Sequence, residues 1–224
     1  WICINIICLL GVDGSGKSSK VKEIKKLLKN DFTVKVSHIH VTVFRLFSFP
    51  LLKFSNIILK NKIEANHPCT TNNAVKKIWV WLYLLDFLIY FIGDNIFFIL
   101  KYFFSGNKNK FIWILDRYYF DGLIDISCAF KDDSIITSGY LYKIFQFILP
   151  KPMITILLDI TPEITKIRKP EEQLNYEYID LRRTKYLRLA KLIGINVVDA
   201  TSSFSSVTKS LLKLIRKELP KLSI

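Results

Sequence analysis

Gly11-Val12-Asp13-Gly14-Ser15-Gly16-Lys17-Ser18 fits the spacing G-x-x-x-x-G-K-[S/T] without a mismatch. It follows an apolar run, residues 2–10, and precedes a stretch in which Val21, Ile24, Leu27 and Leu28 recur at helical spacing with lysines opposite. Strand, glycine-rich turn and helix in that order are what a phosphate cradle requires. The glycines let the main chain curl so that successive N–H groups face inward, and the helix presents its positive amino end. Lys17 is placed to reach the β- and γ-phosphates of ATP, and the Ser18 hydroxyl to bind the Mg²⁺ that bridges them. Gly11, Gly14, Ser15, Gly16, Lys17, Ser18 and Ser19 are the candidate ATP-binding residues, with Mg²⁺ as cofactor.

Away from this loop, strand-like apolar runs alternate with helix-period stretches, the pattern of a parallel α/β sheet. Residues 2–10, 33–41, 111–115, 153–158 and 195–198 read as five strands. The first helix lays Val21, Ile24, Leu27 and Leu28 on the sheet, and aromatic-rich helices are expected over 74–104 and 119–148. Pro150 and Pro152 stop the second of these ahead of strand four. The last helix carries Val207, Leu211, Leu214, Ile215 and Leu219 after a capping region at Ser202 and Ser203. No repeat or Gly/Ser/Pro linker interrupts the 224 residues, so 1–224 reads as one domain. Half the residues are hydrophobic, with 8 Gly and 7 Pro, which excludes disordered and collagen-like chains. Cys3, Cys8, Cys69 and Cys128 show neither CxxC spacing nor a companion His cluster, so no zinc site or disulfide framework is expected and a cytoplasmic location is.

Thirty-three Lys and Arg against 19 Asp and Glu leave a net charge of +14, which admits a polyanionic partner. The lysines, however, concentrate where helix faces read as solvated: Lys20, Lys22, Lys25, Lys26 and Lys29, then Lys209, Lys213 and Lys217. No aromatic-basic motif accompanies them, so nucleic acid is not an expected partner. Residues 78–104 crowd Trp79, Trp81, Leu82, Leu84, Leu85, Phe87 and Leu88 together, but Asp86 splits the run and Gly93, Asp94 and Asn95 end it. A spanning helix needs about 18–20 uninterrupted apolar residues. The stretch reads as a core helix, with peripheral membrane contact open because it is more apolar than one buried face needs. The chain starts at Trp1 without methionine, which reads as a fragment or a trimmed terminus.

A carboxylate inside a phosphate loop sits badly beside a triphosphate, so Asp13 is read as facing a hydroxyl of a second ligand; the alternative is a hydrogen bond within its own turn. Asp116-Arg117-Tyr118 follows the apolar run 111–115, at the carboxyl end of a central strand, where open α/β sheets place their ligands. Asp116 is read as holding Mg²⁺ through water. Arg117 is read as a bidentate clamp for an acceptor phosphate, against an Asp–Arg pair that merely caps the next helix.

Together with Phe120-Asp121-Gly122, Leu158-Asp159, Pro162-Glu163, Arg168 and Val198-Asp199-Ala200, these residues resemble the thymidylate kinase family of P-loop nucleoside monophosphate kinases, nearly end to end. The resemblance implies a P-loop NTPase three-layer sandwich: five parallel strands in the order 2-3-1-4-5, helices on both faces, and a short lid after strand four. It implies Mg²⁺-ATP as phosphoryl donor, a small phosphorylated acceptor such as dTMP, a role in nucleotide biosynthesis, and a homodimer through residues 79–91. By the same likeness Asp13 meets the acceptor sugar, and Arg117 with Tyr118 the acceptor and its phosphate. Arg45, with Pro50, loosely matches the family's Arg-x-Pro segment and becomes a second acceptor-phosphate ligand; core burial of Phe44, Phe47 and Phe49 is the other reading of that loop.

Some family members carry a catalytic arginine after the loop carboxylate. Gly14 stands there, so the lid must supply it from Arg168, Lys169, Arg182 and Arg183. Arg168 is the choice, and Arg182 and Arg183 otherwise read as a solvated helix face. The implied catalytic set is Lys17, Asp116, Arg117 and Arg168. Where the family's arginine reads thymine, Phe87 follows Asp86, so the likeness is to a divergent branch with an undefined acceptor. The competing class is a P-loop nucleotide-binding protein at a membrane surface, without acceptor turnover.

Overall fold

The strands β1 (Asn5–Leu10), β2 (Thr33–His38), β3 (Phe111–Asp116), β4 (Ile154–Asp159) and β5 (Asn196–Asp199) form one parallel sheet in the order β2-β3-β1-β4-β5. They belong to a computed structural model that describes residues 5–38, 73–106, 110–130, 132–137, 140–170 and 175–219. β1 and β3 are buried at every position, as parallel strands are when helices cover both faces. Around the sheet run α1 (Lys17–Leu28), α2 (Asn73–Phe103), α3 (Tyr119–Phe130), α4 (Ser134–Thr137), α5 (Tyr140–Ile148), α6 (Pro162–Arg168), α7 (Tyr176–Ile193) and α8 (Phe204–Glu218). This is the expected P-loop NTPase order. Residues 2–4 and 39–41 of the expected strands lie outside the described residues.

β3, β4 and β5 each end one residue later than their apolar runs, on Asp116, Asp159 and Asp199. Hydropathy marks where a strand stops being buried, whereas the ladder continues to its last paired amide. Three acidic residues are thereby carried to the carboxyl edge of the sheet.

Three expectations are corrected. Residues 119–148 are three helices rather than one, because Asp132 donates its N–H to the Ser127 carbonyl and takes a hydrogen bond from the Ser134 N–H (2.9 Å) on its side chain, a local pairing that competes with the helix. Leu27 is exposed, since the buried stripe of α1 runs through Lys17, Lys20, Val21, Ile24 and Leu28. Lys20 is not solvated: its ammonium donates to Thr208 Oγ1 (2.9 Å) and to the Phe204 carbonyl, tying α1 to α8.

α2 buries Tyr83, Phe87, Phe91, Phe98 and Tyr102, with Phe91 and Phe98 against Trp113 of β3 at centroid distances of 5.1 and 5.5 Å. Its segment Val80–Phe103 is long and apolar enough to cross a membrane by length and composition, with mean hydropathy 1.7, yet 39% of an 18-residue window of it is buried in the protein. The opposite side exposes Ile78, Trp81, Leu85, Ile89, Ile92, Ile96, Leu100 and Phe103.

Candidate active site

The phosphate loop leaves β1 through Gly11, whose φ of +146° and closeness to β4 both demand glycine: a Cβ there would sit 2.6 Å from the Leu158 carbonyl oxygen. Gly14 has φ +79°, with Thr165 of α6 against it. The loop passes so tightly over β4 and α6 that its shape is set by its neighbours as well as by its own glycines.

Lys17 opens α1 and folds back over the loop. Its ammonium donates to the Gly11 and Val12 carbonyls (2.8 Å each) and to Ser15 Oγ (3.3 Å). Burial lowers its pKa and the Arg117 charge lowers it further, to about 8, with Asp13, Asp121 and Asp116 offsetting only part.

Asp116, at the end of β3, is buried. Its Oδ2 accepts from Ser18 Oγ (2.6 Å) and lies 2.9 Å from His38 Nδ1, while Oδ1 is buried with no partner among the described residues. An unpartnered carboxylate oxygen beside a loop hydroxyl is the donor set Mg²⁺ uses when phosphates and waters complete its shell. Among the described residues no group of three or more His, Cys, Asp and Glu forms an all-protein metal cage. The residues present therefore fit a nucleotide-bound Mg²⁺.

Arg117 adopts φ +73°, unusual outside glycine, and its N–H is held by the Leu9 carbonyl (3.1 Å). The kink turns its guanidinium between two carboxylates: Nη2 pairs with Asp13 and Nη1 with Asp121 Oδ1 (3.3 Å). Tyr186 also donates its hydroxyl to Asp121. Burial acts to lower the Arg117 pKa, but Asp121, Tyr186 and Asp13 outweigh it and raise the pKa above the ordinary arginine value. Burial raises the pKa of Asp121 above its ordinary value in spite of Arg117. For half-exposed Asp13 the balance reverses: burial pushes up, but Arg117 and Lys17 together hold its pKa below the ordinary value. Asp13 is thus paired directly with Arg117, where a ligand hydroxyl was expected.

One cavity of about 490 Å³ gathers these groups. Asp13, Gly14, Gly16, Lys17, Ser18 and Ser19 form its floor, His38, Asp116 and Arg117 the strand-end wall, and Arg168 with Lys169 the rim. Arg168, last residue of α6, donates to the Ala200 carbonyl (2.8 Å) and the Gly14 carbonyl (3.4 Å), bridging β5's exit to the loop.

Other expected ligands lie elsewhere. Tyr118 is fully buried, its ring against Phe87 and Phe91 and its hydroxyl donating to the Pro150 carbonyl (3.1 Å). Phe87 is likewise sealed in the core, edge-on to Phe145. Neither Arg182 nor Arg183 lines the cavity, and while Arg183 is partly exposed, Arg182 is not solvated. Arg182 is buried against Asp125 (3.0 Å), and Arg183 forks onto Asp159 (2.7 and 2.8 Å), pinning α7 to the end of β4. Arg45 lies outside the described residues.

The sequence reading missed His38 and the part Asp121 plays. Composition and spacing do not mark them, because their partners are fixed by strand register and by the approach of α7 to α3. A histidine in the strand neighbouring a carboxylate-ended strand was the available signal.

At 28% identity over 218 residues, 96% of this chain and 98% of the other, the protein is similar to a probable thymidylate kinase 1 of Saccharolobus solfataricus. Probable thymidylate kinases of Archaeoglobus fulgidus (32% over 111 residues, 47% of this chain and 54% of theirs) and Pyrobaculum aerophilum (30% over 115 residues, 49% and 57%) are similar over shorter stretches. No protein-family model matches the chain. The likeness to the first of these runs almost end to end, and the sheet has the strand order β2-β3-β1-β4-β5 that the thymidylate kinase resemblance implied.

Proposed function

We propose that the protein transfers the γ-phosphoryl group of Mg²⁺-bound ATP to the phosphate of a nucleoside monophosphate, dTMP or a related acceptor. One observation supports this: the glycine loop with Lys17 and Ser18 lines the same cavity as Arg117 and Asp13, which leaves room for two anions side by side. The names of the relatives support the same chemistry.

Nucleotide phosphates draw Lys17 away from its own loop carbonyls, and the loop N–H groups take the oxygens Lys17 does not. Ser18 and, through water, Asp116 Oδ1 would hold Mg²⁺, which supplies charge neutralisation at the β- and γ-oxygens. Arg117 exchanges Asp13 for the acceptor phosphate, which leaves the Asp13 carboxylate to accept from an acceptor hydroxyl. Arg168, at the rim, turns from the Gly14 carbonyl to the group in flight. The acceptor's own phosphate oxygen attacks, so positioning and charge are the catalytic means and no protein nucleophile is required. The setting of this reading is cytoplasmic nucleotide biosynthesis.

The test is ADP release from ATP against a panel of nucleoside monophosphates, nucleosides and sugar phosphates. Turnover that depends on a nucleoside monophosphate is expected. ADP release that ignores every acceptor, or none at all, overturns the proposal.

The exposed side of α2 favours a second copy of the chain over a membrane as its cover. At 100° per residue Ile78, Trp81, Leu85, Ile89, Ile92, Ile96, Leu100 and Phe103 fall on one stripe about 38 Å long. Within residues 78–103 the charged residues Asp86, Asp94 and Lys101 all fall off it and sum to one negative charge, so that stretch carries no basic border of its own for anionic lipid. Light scattering is expected to give a dimer, and Ile92→Lys a monomer. A monomeric parent that co-sediments with anionic vesicles at low salt would reverse the choice.

A further inference from the structure

If the cavity is a Mg²⁺-nucleotide centre, on which this inference rests, one residue of its wall still lacks a role. His38 is the last residue of β2 and stands in register with Asp116 on β3. With its proton on Nδ1, the ring donates to Asp116 Oδ2 at 2.9 Å, the oxygen that already accepts from Ser18. Both donors therefore act on one carboxylate oxygen, and the other, Oδ1, is left buried and unpartnered.

A carboxylate turns easily about its last torsion. Ser18 alone is a poor brake, because its hydroxyl must also serve the metal. Among the described residues the imidazole has no other partner, and its main chain is held. Tyr90 of α2 donates its hydroxyl to the His38 carbonyl (3.2 Å). Ser37, immediately before it, is buried, donating to Asn95 Oδ1 (2.6 Å) and accepting from Trp113 Nε1 (3.0 Å). A donor fixed by strand register, a helix hydroxyl and a buried network is a rigid support for a ligand group.

We propose that His38 is a positioning residue that holds Asp116 by Oδ2 so that Oδ1 faces the hydration shell of the nucleotide-bound metal. It acts through Asp116 and need not touch substrate. Supports of this kind typically account for a 10–100-fold change in metal affinity.

The experiment uses the full chain with ADP and Mn²⁺ as the probe metal, reading bound Mn²⁺ by the loss of the free-ion EPR signal and metal-free ADP binding by calorimetry in EDTA. His38→Ala is expected to weaken Mn²⁺ binding to the ADP complex by about 10–100-fold while ADP affinity in EDTA and the thermal midpoint of the metal-free protein stay as in the parent. His38→Asn, whose amide nitrogen stands where Nδ1 stood, should recover most of the loss. Mn²⁺ affinity unchanged in His38→Ala overturns the proposal. So does an equal loss of metal-free ADP binding or of stability, which would make His38 merely structural. A parent protein that binds ADP without drawing Mn²⁺ to it defeats the underlying reading of the site, an outcome distinct from a variant that leaves metal binding untouched.

Discussion

Lys17→Met is expected to lower acceptor-dependent ADP formation by on the order of 10³-fold with the fold retained. In the proposed complex the ammonium would be the cation nearest the phosphates, and no described side chain is placed to replace it: Arg117 is held between Asp13 and Asp121, and Arg168 is hydrogen-bonded to the Gly14 carbonyl. Retention of the fold follows from two opposed effects. Methionine forfeits the hydrogen bonds to Gly11, Val12 and Ser15 but also removes a cation whose burial is unfavourable enough to depress its pKa to about 8. Thermal denaturation should therefore shift by no more than about 1 kcal/mol in stability. Undiminished turnover in this variant would remove the phosphate-loop mechanism. The same depressed pKa has a signature in binding. Phosphates favour the ammonium and raise its pKa, so the complex holds more protons than the free protein above pH 8. ADP binding at pH 8.5 in EDTA should take up a fraction of a proton, measured by calorimetry in buffers of different ionisation enthalpy. Uptake should vanish at pH 6.5, where both states are protonated, and in Lys17→Met.

Arg117→Ala is expected to damage both stability and acceptor use. The guanidinium is buried, and its removal leaves Asp121, whose pKa burial already raises, beside Asp13 with no cation between them. Arg182 is 4.0 Å from Asp121 and answers mainly to Asp125, so it compensates little. Breaking one side of a buried ion pair costs about 3 kcal/mol or more. For a chain of this size that is a fall of about 6–12 °C in the thermal midpoint. In the fraction that stays folded, kcat/KM for the acceptor should drop by at least about 10²-fold while ADP affinity changes little, because the phosphate loop is intact. Arg117→Lys restores the charge but not the fork, and should recover stability better than acceptor affinity. An Arg117→Ala protein with parental acceptor kinetics would show that Arg117 only braces the fold.

Much of this architecture was legible in the one-dimensional pattern because its causes are local. Eight consecutive residues carry the phosphate loop, and the alternation of fully apolar runs with 3.6-period stretches carries the sheet and its covering helices. Strand order came with the family likeness, and Asp116-Arg117 was placed at the carboxyl edge by the apolar run before it. The misreadings share a cause as well. Lys20, Arg182 and Arg183 look like surface charge to any window of sequence, yet each is claimed by a partner on another element: Thr208 on α8, Asp125 on α3, Asp159 at the end of β4. Leu27 and the break in 119–148 turn on which face a helix buries and on a side-chain hydrogen bond that outcompetes one turn of it.

Order along the chain, then, was enough to mark a strand, glycine turn and helix at the carboxyl edge of a parallel sheet, since these three are set by neighbours in sequence. Which carboxylate oxygen is spoken for and which is free, that Asp13 closes on Arg117, and that His38 stands behind Asp116 are facts of register and packing. Ser18 and Asp116 are 98 residues apart in the chain and 2.6 Å apart in the fold. Only the pairing of β2 with β3 and of β3 with β1 brings such groups to one edge, because hydrogen bonds act over ångströms and are blind to how much chain lies between their ends.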